Sequence, residues 1–119
     1  MTESQVYQLL KSNVAIKALI NERVYPMVAP QNVVKPYITY RVVSGIKLQC
    51  MGGQIYRGNY RMQLDCFSLT YSNVKAISEA VKNALIGFMT SSDINIIDDY
   101  EDETKLFRQI IDFKINNKD

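Results

Sequence analysis

Carboxylates are the most conspicuous reactive groups in this chain, and they occur in two arrangements. Five of the six residues in Asp98-Asp99-Tyr100-Glu101-Asp102-Glu103 are acidic, an oxygen-rich run of the kind that attracts hard cations. It lacks the central glycine and the alternating ligand spacing of a calcium loop, so a solvated turn between two strands is the simpler reading. Asp65 and Asp112 form the second arrangement, each in the middle of an alternating segment and opposite its apolar face. Paired carboxylates there can do general acid–base work. With no pocket signature around them, cross-strand pairing with arginines such as Arg61 or Arg108 is the favoured reading.

Other chemistry is bounded by what the sequence omits. It has no histidine, which excludes histidine-based acid–base and triad mechanisms. Its two cysteines, Cys50 and Cys66, are far apart, which argues against structural zinc and against a disulfide framework; a reducing compartment is expected. Eight tyrosines offer stacking surfaces, but they are scattered and lack accompanying basic clusters, so packing is favoured over contact with nucleic-acid bases. No phosphate loop or nucleophile–base pair is present. No catalytic, metal or cofactor-binding residue is therefore assigned, and no cofactor is expected.

The elements that position these groups follow from periodicity. In Asn59–Leu69, Tyr60, Met62, Leu64 and Cys66 alternate with Arg61, Gln63 and Asp65, the pattern of a half-buried strand. The period then becomes helical: Val74, Ile77, Val81, Ala84, Leu85 and Phe88 share one face, hydroxyls at Thr70–Ser72 can cap the start, and Gly87 marks the end. Upstream, Thr2-Glu-Ser-Gln5 fits a capping box. Val6, Leu9 and Leu10 continue into a helix that Ser12-Asn13 bends, with Ile16, Leu19 and Ile20 inward beyond it. Arg23–Pro26 reads as a short extended segment, and Pro30 and Pro36 frame a loop. Tyr37–Val43, Ser92–Ile97 and Lys105–Ile115 read as strands, the last long enough to lie beside the Asn59–Leu69 strand. The expected fold is α+β: a mostly antiparallel sheet of four to five strands, with the bent helix and the central helix on one face.

Length and charge narrow the class further. A chain of 119 residues with 47% hydrophobic and 22% charged residues suits one globular domain, here taken as 1–119. Fourteen basic against twelve acidic residues is too balanced for nucleic acid or an anionic membrane to be the main partner. No secretory signal or bilayer-spanning run is expected.

Ser44–Gly58 fits this bland picture least. It holds four of the five glycines among apolar residues, and it is expected to form the tip of a long hairpin between Tyr37–Val43 and Asn59–Leu69. Ile46, Lys47, Leu48, Met51, Ile55, Tyr56 and Arg57 are therefore taken as a candidate partner or subunit interface. Asp98, Asp99, Glu101, Asp102 and Glu103 are taken as an acidic turn that is solvated or faces a basic partner.

With these segments in order, a resemblance emerges. Arg23-Val-Tyr-Pro26, Val28-Ala-Pro30 and Pro36-Tyr37 resemble the front half of the tail-completion protein family of long-tailed bacteriophages. Gln63-Leu-Asp-Cys66 with the Tyr71–Phe88 helix resembles its middle. Asp98-Asp-Tyr100, Leu106-Phe-Arg108 and Asp112-Phe113 resemble its end. No family motif matches Ser44–Gly58. The resemblance implies a structural protein without catalytic residues, assembled as a hexameric ring at the head-proximal end of the tail tube. Such a ring stops tube growth and joins tail to head, and in it the acidic turn would face either the channel lumen or a basic connector surface. Its implied partners are copies of itself, the major tail tube protein and a head connector or stopper, with DNA passing through unread. The implied location is the virion, after assembly in the host cytoplasm. The alternatives are another virion joint, an enzymatic or small-ligand domain built on Asp65 and Asp112, and a nucleic-acid-binding module.

Overall fold

The computed structural model describes residues 3–45, 49–51, 54–56, 60–88 and 94–115. The bend in the N-terminal helical unit lies at Asn13. Helix α1 (Glu3–Ser12) ends there, and the Asn13 side chain accepts a hydrogen bond from the Ile16 N–H at 3.1 Å, capping helix α2 (Val14–Ile20). Thr2, the start of the proposed capping box, lies outside the described residues.

Strand β1 (Val24–Pro26) runs parallel to β2 (Tyr37–Gly45), and every other pairing is antiparallel. After β2 comes a separate two-stranded ribbon, β3 (Gln49–Met51) with β4 (Gln54–Tyr56). This is the hairpin expected within Ser44–Gly58. At its base Val42 pairs with Met62 and Ser44 with Arg61, so Val43 is an extra, bulged residue. Strand β5 (Tyr60–Ser68), helix α3 (Tyr71–Phe88), β6 (Ile94–Glu101) and β7 (Leu106–Ile115) complete the chain. The main sheet has the order β1-β2-β5-β7-β6. The long strands β5 and β7 are neighbours, as their matched lengths suggest.

All three helices share one sheet face because their apolar stripes close a single core. Val6 and Leu10 of α1, Ile16 and Ile20 of α2, and Val74, Ile77, Val81 and Leu85 of α3 are fully buried. They pack with Ile38, Met62, Leu64, Cys66, Ile111 and Phe113 from the strands. Each such side chain contributes about 1.5–3 kcal/mol through burial. Helix α3 starts where Thr70 accepts a hydrogen bond on its hydroxyl from the Asn73 N–H at 3.3 Å, and it runs one residue past Gly87. Gln109 also points into the helix-covered face. It is 1% exposed, and neither its amide oxygen nor its amide nitrogen has a hydrogen-bond partner.

One expectation is corrected here. Asp98, Asp99 and Glu101 belong to strand β6, so the acidic run is not a turn over its whole length. The turn occupies residues 102–105, taking in Asp102 and Glu103, and Lys105 leaves it at a φ of 56°. The backbone continues as strand because β7 offers a ladder in register, pairing Asp98 with Gln109 and Asp99 with Arg108. Fixed cross-strand partners outweigh the low strand propensity of aspartate.

Candidate functional site

Alternation along four adjacent strands sets the groups of interest on the sheet face away from the helices. Tyr37, Thr39 and Arg41 come from β2 and Gln63, Asp65 and Phe67 from β5. Arg108 and Asp112 come from β7, and Asp99 and Glu101 from β6. This face is not left bare. After β1, Met27 adopts a φ of 65° and donates its N–H to Tyr40 O at 2.8 Å, turning the chain back. Residues 27–36 then lie against the face. Ala29, Val33 and Tyr25 pack on a small second core of Tyr37, Phe67 and Leu106. Tyr37 stacks on Phe67 with ring centres 4.8 Å apart, and Tyr25 meets Tyr37 edge-on at 6.3 Å.

Beside this second core is a cleft of about 390 Å³. Met27, Val28 and Val33 form one side, Glu101 and Thr104 the other, and Thr39, Arg41, Asp65 and Arg108 line it between them. Burial holds the Tyr37 phenol above its ordinary range; the nearby Glu101 carboxylate adds to this and Arg108 opposes it.

The two mid-strand carboxylates are both engaged by arginines. Asp65 accepts from Arg108 Nη2 at 2.8 Å on one oxygen and from Gln63 Nε2 at 2.8 Å on the other. Arg108 also reaches Asp99 at 3.5 Å and lies 5.6 Å over the Phe67 ring. Asp112 is held by both ends of the Arg61 guanidinium, at 3.2 and 3.0 Å. The arrangement is thus a set of cross-strand clamps joining β5, β7 and β6. Among the described residues, no group of three or more His, Cys, Asp or Glu is placed to hold a metal ion.

The remaining sequence-proposed residues are not drawn into this cleft, except Glu101. Asp98 turns to the helix face and accepts from the Tyr71 hydroxyl at 3.1 Å, while Asp102 and Glu103 are exposed. Ile46, Lys47, Leu48 and Arg57 lie outside the described residues; Met51, Ile55 and Tyr56 belong to the β3–β4 ribbon by their backbone. Sequence reasoning missed the folding back of residues 27–36. The signal for it was the apolar pairs Val28-Ala29 and Val33-Val34 between two prolines, which an ordinary solvated loop does not need. Cys66 is buried and unbridged, and burial, with Asp65 adding, pushes its thiol far above the ordinary range. No helix among the described residues is long and apolar enough to cross a membrane.

Comparison with known proteins adds what geometry does not. A comparison with curated proteins finds no match. In fold, the chain is similar to one in the solved virion of a native gene transfer agent particle. The TM-score is 0.67 at 18% identity, over 93% of this chain and 90% of that one. The family described as tail completion protein gp17 matches residues 4–116. The chain therefore belongs to the tail completion protein gp17 family and is a structural component of a phage-type virion tail.

Proposed function

We propose that the chain is the subunit of a hexameric ring that closes the head-proximal end of the tail tube, stops tube growth and joins tail to head. It acts through protein contacts and performs no reaction. Its partners are other copies of itself, the major tail tube protein and a head connector or stopper, and DNA passes through the ring without being read. Assembly takes place in the host cytoplasm. The observation that carries this reading is the family match, which runs from α1 to the end of β7. The engagement of Asp65 and Asp112 in arginine clamps supports it, because both carboxylates are taken up in joining neighbouring strands. The Ser44–Gly58 stretch, with Ile46, Lys47, Leu48, Met51, Ile55, Tyr56 and Arg57, is the proposed partner or subunit interface.

Deletion of the coding sequence from its phage or prophage tests the proposal by electron microscopy. Filled heads should accumulate unjoined, beside tails of uncontrolled length, and the chain supplied in trans should restore joined particles. Tails of normal length beside heads that lose their DNA would point to a head stopper instead. Normal joined particles would refute both readings.

A further inference from the structure

The cleft beside the second core has a lip that the fold itself does not require. Met27 and Val28 both line it, and they are 65% and 78% accessible. Met27 is also held at a φ of 65°. A side chain there costs roughly 1–2 kcal/mol, and glycine would make the same turn without that cost. Burial does not offset it, because most of the methionine surface is in water. Strain kept at an exposed side chain implies a role for that side chain outside the fold.

Charge marks the two ends of the same cleft. Asp65 and Arg108, which line it between them, neutralise each other at 2.8 Å. Arg41 and Glu101 line it too, and neither makes an ion pair among the described residues. Arg41 connects by register through Gln63 and Asp112 to Asn95, three strands away, and Glu101 lies six residues further along β6. At ~4.8 Å per strand and ~3.3 Å per residue, their Cα atoms are about 24 Å apart. Side chains reaching in from both ends leave roughly 14 Å, the length of about four extended residues. Tyr37, Thr39 and Thr104 bring hydroxyl-bearing side chains to the wall of this gap.

These features select the class of occupant. The backbone amides of an extended peptide need hydrogen-bond partners, which hydroxyls supply, and its side chains can match both the apolar lip and the two opposite charges. A nucleic-acid strand would instead meet Glu101, with Asp102 and Glu103 next to it in the chain, and be repelled. Outside its helices and strands, this sequence has no segment with an acidic and a basic residue separated by an apolar one. A second copy of the chain therefore lacks a suitable segment, and the occupant is a different protein.

We propose that the cleft takes an extended segment of another virion protein. Its apolar side chains rest on Met27 and Val28, an acidic residue meets Arg41 and, about four residues away, a basic residue meets Glu101. This rests on the chain's place in a virion tail and is independent of the ring.

Photocrosslinking in assembled particles tests it. With p-benzoylphenylalanine in place of Val28, irradiation should join this chain to one other virion protein. Mass spectrometry should map the join to a segment of that protein with an acidic and a basic residue about four positions apart and apolar residues between. Arg41→Glu should lower the yield threefold or more, roughly the effect of an exposed ion pair, and changing the mapped acidic residue to arginine should restore it. Met27→Gly should melt at or slightly above the wild-type Tm and still lower the yield. Joining to a second copy of this chain or to DNA would overturn the proposal. So would the absence of any join in particles shown to contain the chain, or a loss with Arg41→Glu that the reversed charge does not restore. Wild-type particles that lack the chain would overturn its place in the tail, and this proposal with it.

Discussion

Replacing Asp65 by asparagine probes how the sheet face away from the helices is held together. The substitution keeps the shape and an acceptor for Gln63 but removes the charge that Arg108 meets at 2.8 Å. The two side chains of this pair are 11% and 22% exposed, and Arg108 Nε is buried without a partner, so little water is at hand to replace the lost carboxylate. Asp99, at 3.5 Å and 45% exposed, compensates only in part. A hydrogen bond between charged groups in such a setting is worth about 1.5–3 kcal/mol. At about 4 °C per kcal/mol for a domain of this size, Tm should fall by roughly 6–12 °C. Asp112→Asn is the internal control. Its pair with Arg61 is 27% and 39% exposed, so the loss should stay within about 1 kcal/mol and shrink further in 0.5 M salt. Calorimetry and urea unfolding on both variants decide the matter. Equal shifts for the two, or no shift for Asp65→Asn, would show that burial does not set the strength of these clamps.

Three further outcomes follow from the same structure. Both the Cys66 thiol and the Tyr37 phenol are held up by burial, while in the unfolded chain they ionise near 9.0 and 10.0. Their neutral forms therefore contribute stability that is intact below pH 9 and lost as pH rises beyond it; urea midpoints measured from pH 7 to 11 should fall along this limb, and Cys66→Ala should make it shallower. Gln109→Leu removes two buried polar atoms that have no partner, and should raise Tm by about 4 °C, a gain of ~1 kcal/mol, in a thermal melt. Asp102→Asn with Glu103→Gln, both in the exposed turn, should leave Tm unchanged or slightly raised, whereas Asp99→Asn should lower it by up to about 4 °C, a loss of ~1 kcal/mol, through loss of the Arg108 contact.

Local periodicity carried the fold because the main core is closed by one helix-side apolar stripe from each element. Val74, Ile77, Val81 and Leu85 were legible as the inner face of α3, and Met62, Leu64 and Cys66 as the inner face of β5, from spacing alone. The arginine partners of Asp65 and Asp112 were legible because cross-strand neighbours on one face are few. The extent of β6 was not. Its carboxylates argue against a strand locally, and what holds them, Arg108 in the next strand and Tyr71 at the start of α3, is fixed only by the tertiary arrangement. The closing of the second face by residues 27–36 was hidden for the same reason. A short apolar pair between prolines does not reveal which surface it will cover until Tyr37, Phe67 and Leu106 have been brought together.

The proposed role sets this chain at the head-proximal end of the tail tube. Its position in the finished particle tests this most directly. A peptide tag at the N-terminus, in a strain whose particles remain infectious, can be labelled with gold-conjugated antibody on intact particles and on isolated tails. Label should be confined to the head–tail junction of particles and to one end of each free tail, with about six copies of the chain per particle by quantitative mass spectrometry, as a hexameric ring requires. Label along the tube or at the distal tip would contradict it.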